Sequence, residues 1–180
     1  MRVIILDRDG VINYDSSAYI KSPGEWRPIP GSLDAIARFT QAGYRVMIAS
    51  NQSGLGRGLF DAPALDAIHN KLRARLASLG GRIDAIFYCP HLPSDDCDCR
   101  KPKPGLLWQI ARLPGVTLTE ALAVGDSLRD LQAAASARVE TVLVRTGNGA
   151  HTESMGDVPA SVRVFDDLAA VADHYLVRAN

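Results

Sequence analysis

The chain has 180 residues, enough for a sizeable core, and a single domain over 1–180 is expected. Its 20 lysines and arginines equal its 20 aspartates and glutamates, so no overall basic field argues for a nucleic-acid or membrane partner. No apolar run reaches the roughly 20 residues of a membrane-spanning helix, and the N-terminus runs straight into a strand without a signal-like region, so a cytoplasmic chain is expected.

Val3-Ile4-Ile5-Leu6 is apolar and mostly β-branched, the pattern of a buried parallel strand. Two carboxylates, Asp7 and Asp9, follow it, with Gly10 to turn the chain. Ligands of open α/β sheets sit beyond the carboxyl ends of strands. An aspartate pair there can hold a divalent metal and divide the work of nucleophile and general acid/base, although the same tetrapeptide also suits a plain turn. Residues 11–27 form a polar excursion carrying Asp15, Tyr19 and Trp26, too long for a simple link and expected to be a functional loop or small hairpin. Pro30-Gly31-Ser32 punctuates a helix start, with Ser32 as a cap and Gly43 as a stop.

Residues 44–49 are the second strand, ending at Ser50-Asn51-Gln52-Ser53, where a hydroxyl and amides can bond a phosphoryl group. Gly54-Leu55-Gly56-Arg57-Gly58 has the wrong spacing for either a dinucleotide fingerprint or a P-loop and reads as a flexible loop carrying Arg57. Residues 63–79 are an amphipathic helix with Leu65, Ile68, Leu72, Leu76 and Leu79 on one stripe and His69 as a polar surface residue. Residues 84–88 make the third strand and lead into a cysteine-rich segment. A short helix over 105–112, a strand over 122–124 ending at Asp126, a helix over 128–138 and a strand over 139–144 follow. Residues 145–160 read as a surface loop, 162–165 as an edge strand and 167–175 as a final helix capped by Asp166 or Asp167. This alternation predicts an α/β fold with a doubly wound, Rossmann-like parallel sheet.

Such a sheet gathers its strand ends on one rim, so Asp7 and Asp9, Ser50 and Asn51, Arg100 and Lys101, and Asp126 are expected to meet there. Acid pair, hydroxyl, cation and third acid are the parts of metal-assisted phosphoryl transfer, with a magnesium ion needed between the phosphate and the carboxylate it would otherwise repel. The three cysteines, Cys89, Cys97 and Cys99, fall within eleven residues together with His91. Three thiols and an imidazole make a closed tetrahedral zinc set, structural rather than catalytic; clustered surface thiols are the plainer reading. Zinc there would fix Arg100 and Lys101, which follow directly. Lys101 or Lys103 points inward.

Asp7-x-Asp9-Gly10, Ser50-Asn51, Lys101 and Gly125-Asp126-x-x-x-Asp130 resemble the four motifs of the haloacid dehalogenase-like phosphatases over nearly the whole chain. The resemblance implies that Asp7 attacks phosphorus and that Asp9 protonates the departing alkoxide and then helps water hydrolyse the aspartyl-phosphate. It also implies that Ser50 and Lys101 hold the phosphoryl group, and that Asp7, Asp126 and the backbone carbonyl of Asp9 hold magnesium. Asp130 is implied only as a second, less certain acid. No insertion is long enough for a large cap domain, so loops alone close the site. Cys-Pro-His…Cys-Asp-Cys-Arg-Lys-Pro is similar to the zinc loop of two families in this group, the heptose bisphosphate phosphatases and the histidinol-phosphate phosphatases. Ser53 and Val144-Arg145-Thr146-Gly147-Asn148-Gly149 favour the first, a step in lipopolysaccharide or surface-polysaccharide precursor synthesis. That likeness implies a small sugar bisphosphate as substrate, with Asp15, Tyr19, Asn51, Gln52 and Ser53 lining the sugar and Arg100 meeting the second phosphate or sugar hydroxyls. Arg57 is an additional candidate. A monomer is expected. A zinc-stabilised binding module without catalysis is the alternative of different class, and a basic stripe with missing acids would mark it.

Overall fold

A parallel sheet covered on both faces needs apolar side chains pointing in both directions. The computed structural model, which describes residues 2–177, meets this requirement first in β1 (Val3–Leu6), where all four side chains are buried. Five further strands lie parallel to one another and to it: β2 (Arg45–Asn51), β3 (Ala85–Cys89), β4 (Ala121–Gly125), β5 (Glu140–Val144) and β6 (Arg163–Phe165). Their order is β3-β2-β1-β4-β5-β6. The chain therefore winds outward from β1 to β3, returns, and winds the other way from β4. The switch point lies between β1 and β4, where a parallel sheet opens a crevice for ligands.

Alternate strand residues feed two apolar layers. Ile4, Leu6, Val46 and Ile48 point toward α1 (Ser32–Gln41), α3 (Ala62–Ala77) and α7 (Leu168–Val177), meeting Ile36, Phe39, Ile68, Leu72 and Val171. Val3, Ile5, Met47 and Ala49 point the other way, toward Leu106, Leu107 and Ile110 of α4 (Gly105–Ala111) and Ala133 and Ala134 of α5 (Leu128–Ser136). Two short helices, α2 (Ser53–Gly56) and α6 (Gly149–Ser154), stand where loops are expected over 54–58 and 145–160.

The expected elements are present, with local differences. Gly31, in the left-handed conformation, precedes α1, and Ser32 instead donates its hydroxyl to the Ile12 and Ile29 carbonyls at 2.6 and 2.7 Å. Asp61 caps α3 by accepting from Ala64 N, and Asp167 caps α7 by accepting from Ala170 N, at 2.9 and 2.8 Å. Leu79 falls beyond the end of α3 and is exposed, whereas His69 is buried on the inner face.

The long segment after β1 is anchored by Trp26, which is 1% exposed. Lys71 of α3 stands 5.8 Å from its ring centre and donates to the Pro23 and Trp26 carbonyls, tying the segment to the body. Trp26→Ala is expected to cost about 3–5 kcal/mol of stability. Urea unfolding measures the loss, and hydrogen exchange should rise first in residues 14–28 if this anchor is what holds them.

Candidate active site

Register puts the strand ends at one level. Leu6 pairs with Ile48 on one side and Val124 on the other, so Asp7 and Asp126, just past the ends of β1 and β4, come within one residue of the level of Ser50 near the end of β2. Asp7 N still donates to Val124 O at 3.0 Å, which extends the ladder by one residue. The mouth above is a cavity of about 260 Å³. Asp7, Asp9, Asp15, Tyr19, Ser50, Asn51, Gln52, Ser53, Arg100, Lys101 and Asp126 all line it, as do Ser16, Arg57, Arg129 and Asn148.

Lys101 enters this rim from the loop after β3 and is 5% exposed. Its Nζ lies 3.1 Å from Asp7 Oδ2 and 2.6 Å from Asp130 Oδ1, and it donates to Ala49 O at 2.8 Å. Burial by itself would discharge such a lysine; the charges of Asp130 and Asp7 outweigh it and raise its pKa. Lys103, the alternative, is on the surface with Asp96 and Asp98. Asp130 is buried beneath Lys101 and closes a capping box with Ser127, whose backbone N–H donates to it at 3.0 Å. The Asn51 amide accepts from Lys101 N and donates to Lys101 O, both at 3.0 Å, and so fixes the lysine's backbone as well as facing the mouth.

Asp9 is gripped by four donors. Arg8 meets both of its oxygens at 3.0 Å, and Asn13 Nδ2 and Gln52 Nε2 each stand at 2.8 Å. Burial pushes the Asp9 carboxyl up, but the Arg8 guanidinium and these hydrogen bonds prevail and hold it below its ordinary range. Arg8 is 1% exposed; it also donates to Gln52 Oε1 at 3.1 Å and lies 3.4 Å from His69 Nε2. Burial and the Arg8 charge push the His69 pKa down to about 4, so a neutral ring accepts from Arg8. Gln52 also donates to Ser50 Oγ at 2.9 Å, linking that hydroxyl to Asp9.

Asp126 is held from across the switch point. Asn148 N donates to its Oδ2 at 2.8 Å, and Asn148 Nδ2 stands 3.3 Å from the same oxygen and 3.4 Å from Asp15. Gly10 and Gly147, at φ 84° and 58°, press against it: a Cβ on either would come within 2.2 Å of Asp126 Oδ2. Thr146 Oγ1 donates to Gly10 O at 2.6 Å and locks these two loops together.

Asp7, Asp126 and Asp130 each bring an oxygen within 4.8 Å of the others. Burial, together with Asp130 and Asp126, pushes Asp7 up to about 8 despite Lys101; burial and Asp130 push Asp126 up to about 6. Lys101 already occupies Asp130, so Asp7 and Asp126 face the mouth with more negative charge than the protein neutralises. An all-oxygen set in that condition fits a hard divalent cation such as magnesium.

The sulfur cluster stands apart from this rim. Cys89 is the last residue of β3 and fixes one corner to the sheet. Its Sγ lies 3.5 Å from both His91 Nδ1 and Cys97 Sγ; Cys99 Sγ lies 3.3 Å from the histidine and 3.6 Å from Cys97. A zinc ion bound tetrahedrally to sulfur at about 2.3 Å requires edges of about 3.8 Å, so the four atoms need only a slight expansion to hold one. Burial and the Cys99 thiol push Cys89 up to about 12, whereas in Cys97 the effect of burial is overcome by neighbouring donors and the pKa falls to about 7. A bound cation would allow all three to ionise.

A parallel sheet with acids, a buried lysine and a hydroxyl at its switch point defines a phosphatase of the haloacid dehalogenase class, a phosphoric monoester hydrolase. Residues 98–171 match the HAD-hydrolase-like family and residues 2–131 the polynucleotide kinase 3 phosphatase family. The chain is 58% identical over 179 residues to the D-glycero-beta-D-manno-heptose-1,7-bisphosphate 7-phosphatase of Bordetella bronchiseptica, covering 99% of this chain and 100% of that one. It is 53% identical to the Pseudomonas putida protein of the same name, covering 96% and 98%. A crystal structure of the D,D-heptose 1,7-bisphosphate phosphatase from B. bronchiseptica, complexed with magnesium and phosphate, superposes with a TM-score of 0.96 over 99% of both chains at 58% identity. The chain belongs to the family of D-glycero-beta-D-manno-heptose-1,7-bisphosphate 7-phosphatases.

Two outcomes are expected from this geometry. Carboxyls with raised pKa lower folded-state stability as pH climbs from about 4 toward 8, because the folded state resists losing their protons. Added Mg²⁺ should therefore raise Tm more at pH 8 than at pH 5.5, where protons already occupy the acids; an equal shift at both pH values would contradict the assignment. Cys97→Ser should remove zinc, as read by metal analysis, and lower Tm; wild-type protein with no zinc and unchanged Tm on chelation would contradict the cluster's reading.

Proposed function

We propose that this chain hydrolyses the 7-phosphate of D-glycero-D-manno-heptose 1,7-bisphosphate through an aspartyl-phosphate, as a single-domain cytoplasmic monomer in lipopolysaccharide or surface-polysaccharide heptose precursor synthesis. The end-to-end relationship with the Bordetella relative, at high identity, is the observation that carries the substrate. Among the described residues no helix is long and apolar enough to cross a membrane.

The roles follow from the geometry. Asp7, central on the rim and facing the mouth, is the nucleophile: its carboxylate oxygen bonds to phosphorus as the bond from phosphorus to the sugar oxygen breaks. Asp9 gives that oxygen a proton. The doubly charged phosphoryl group favours a proton on Asp9 when it arrives, opposing the Arg8 clamp. With the sugar gone, Asp9 takes a proton from water as the water attacks the aspartyl-phosphate, freeing Asp7 and inorganic phosphate. The low pKa that Arg8 imposes suits this second role. Ser50 Oγ and Lys101 Nζ donate to the phosphoryl oxygens, and Asp130 keeps Lys101 charged and aimed. Magnesium, held by Asp7, Asp126 and the Asp9 carbonyl, would offset the repulsion between carboxylate and phosphate. Asp15, Tyr19, Asn51, Gln52 and Ser53, which line the cavity, would face the sugar, and Arg100, on the same cavity, would meet the second phosphate.

Phosphate release with Mg²⁺ tests the reading. The heptose bisphosphate should be turned over well ahead of histidinol phosphate, and Asp7→Asn and Asp9→Asn should each lose at least about 10³-fold in kcat while keeping the wild-type circular dichroism. Preference for histidinol phosphate would reassign the substrate, and an active Asp7→Asn would end the covalent mechanism.

A further inference from the structure

The cations around the mouth are not equally committed. Arg8 is taken up by Asp9 and Gln52, and Lys101 by Asp7, Asp130 and Ala49 O. Arg57 lies over the Tyr19 ring, 5.9 Å from its centre. Arg100 gives one N–H to His91 O at 3.3 Å. Arg129 makes no hydrogen bond or ion pair with any described residue, yet lines the same cavity.

The Arg129 charge reaches the buried Asp130 through space, as a minor influence beside Lys101, but two features make this an unfavourable place for an arginine with no direct partner. Arg129 is the second residue of α5, where the exposed N–H groups of the first turn disfavour a cation. It also lines the same cavity as Arg100. Lys101 and Asp130 touch at 2.6 Å, and Arg100 and Arg129 each immediately precede one of them in the chain. The backbones that carry the two arginines are therefore brought together by one buried ion pair, and both side chains line the cavity mouth. With no anion between them they repel; with one, both forks can donate in pairs to it.

We infer that Arg129, with Arg100, grips the phosphate that is not cleaved, and so makes the enzyme prefer a sugar bisphosphate over a monophosphate. This assignment rests on the phosphatase reading above. The phosphoryl group at Asp7 is already supplied with Lys101 and Ser50, so two further arginines serve a second anionic group. Arg129 is a specificity residue: it does not touch the reacting atoms.

Steady-state kinetics with Mg²⁺ on the full chain test this, using heptose 1,7-bisphosphate and p-nitrophenyl phosphate, which carries no second phosphate. For Arg129→Ala the KM for the bisphosphate should rise about 10- to 100-fold with little change in kcat. The kcat/KM for p-nitrophenyl phosphate should stay within about twofold of wild type. Inhibition by the heptose 1-phosphate product should weaken in parallel while inhibition by inorganic phosphate does not, and Arg129→Lys should recover part of the loss. Equal losses on both substrates, or an unchanged KM for the bisphosphate, would overturn the assignment and leave the phosphatase reading intact. A wild-type enzyme that does not favour the bisphosphate over p-nitrophenyl phosphate would instead overturn the substrate reading, and the assignment with it.

Discussion

The site depends on one buried ammonium group. Lys101 Nζ sits between Asp7 and Asp130 in a place where neither acid nor base would keep its charge alone. The lysine supports two carboxylates, and Asp126 adds a third close by. With all three acids ionised the cluster is thus two positive charges short of balance, and the deficit falls on the side open to solvent. A buried ion pair with both partners satisfied orients more than it stabilises. Here it aims a cation at the position that the proposed mechanism gives to the phosphoryl group.

Much of the remaining architecture keeps that group in place. The Lys101 loop has few apolar contacts of its own, and its anchorage comes from elsewhere: Cys89 at the end of β3, the thiol and imidazole cluster that begins there, and α4 immediately after. Metal binding at such a cluster is folding energy for a loop that cannot bury a core. A zinc ion held there would act on catalysis through position, by fixing the loop that carries Lys101 two residues beyond Cys99.

The sheet and the acids were legible because both depend on short, strongly patterned stretches: apolar runs for buried strands, and carboxylates or hydroxyls where those runs stop. Lys101 was favoured over Lys103 on resemblance, and the burial of one and exposure of the other agree with it. What the sequence did not disclose is pairing at a distance. Arg8 is an unremarked residue between two aspartates until the fold sets it against His69 and Gln52, and His69 looks like one more polar position on a helix. Their burial is a property of three elements together. Asn148 stood in a family-like stretch of a segment read as surface loop, but its role was hidden, because its task is to donate to a carboxylate 22 residues earlier in the chain. Ser32 has the composition of a cap, but its hydroxyl finds better acceptors in the neighbouring loop. Arg129 carried no sequence signal beyond standing one place before an aspartate.

The Asn51 side chain has a wider consequence. By accepting from the N–H and donating to the C=O of one residue, it imitates a neighbouring strand and ties the backbone of the 101 loop to the end of β2. The course of the loop through residue 101 is thus written into a backbone contact that is indifferent to the side chain there. Path and charge are separable at this position. A family built on this scaffold could exchange the cation, or dispense with it, without redesigning the loop that presents it, whereas exchanging Asn51 would disturb the course first and the chemistry as a result.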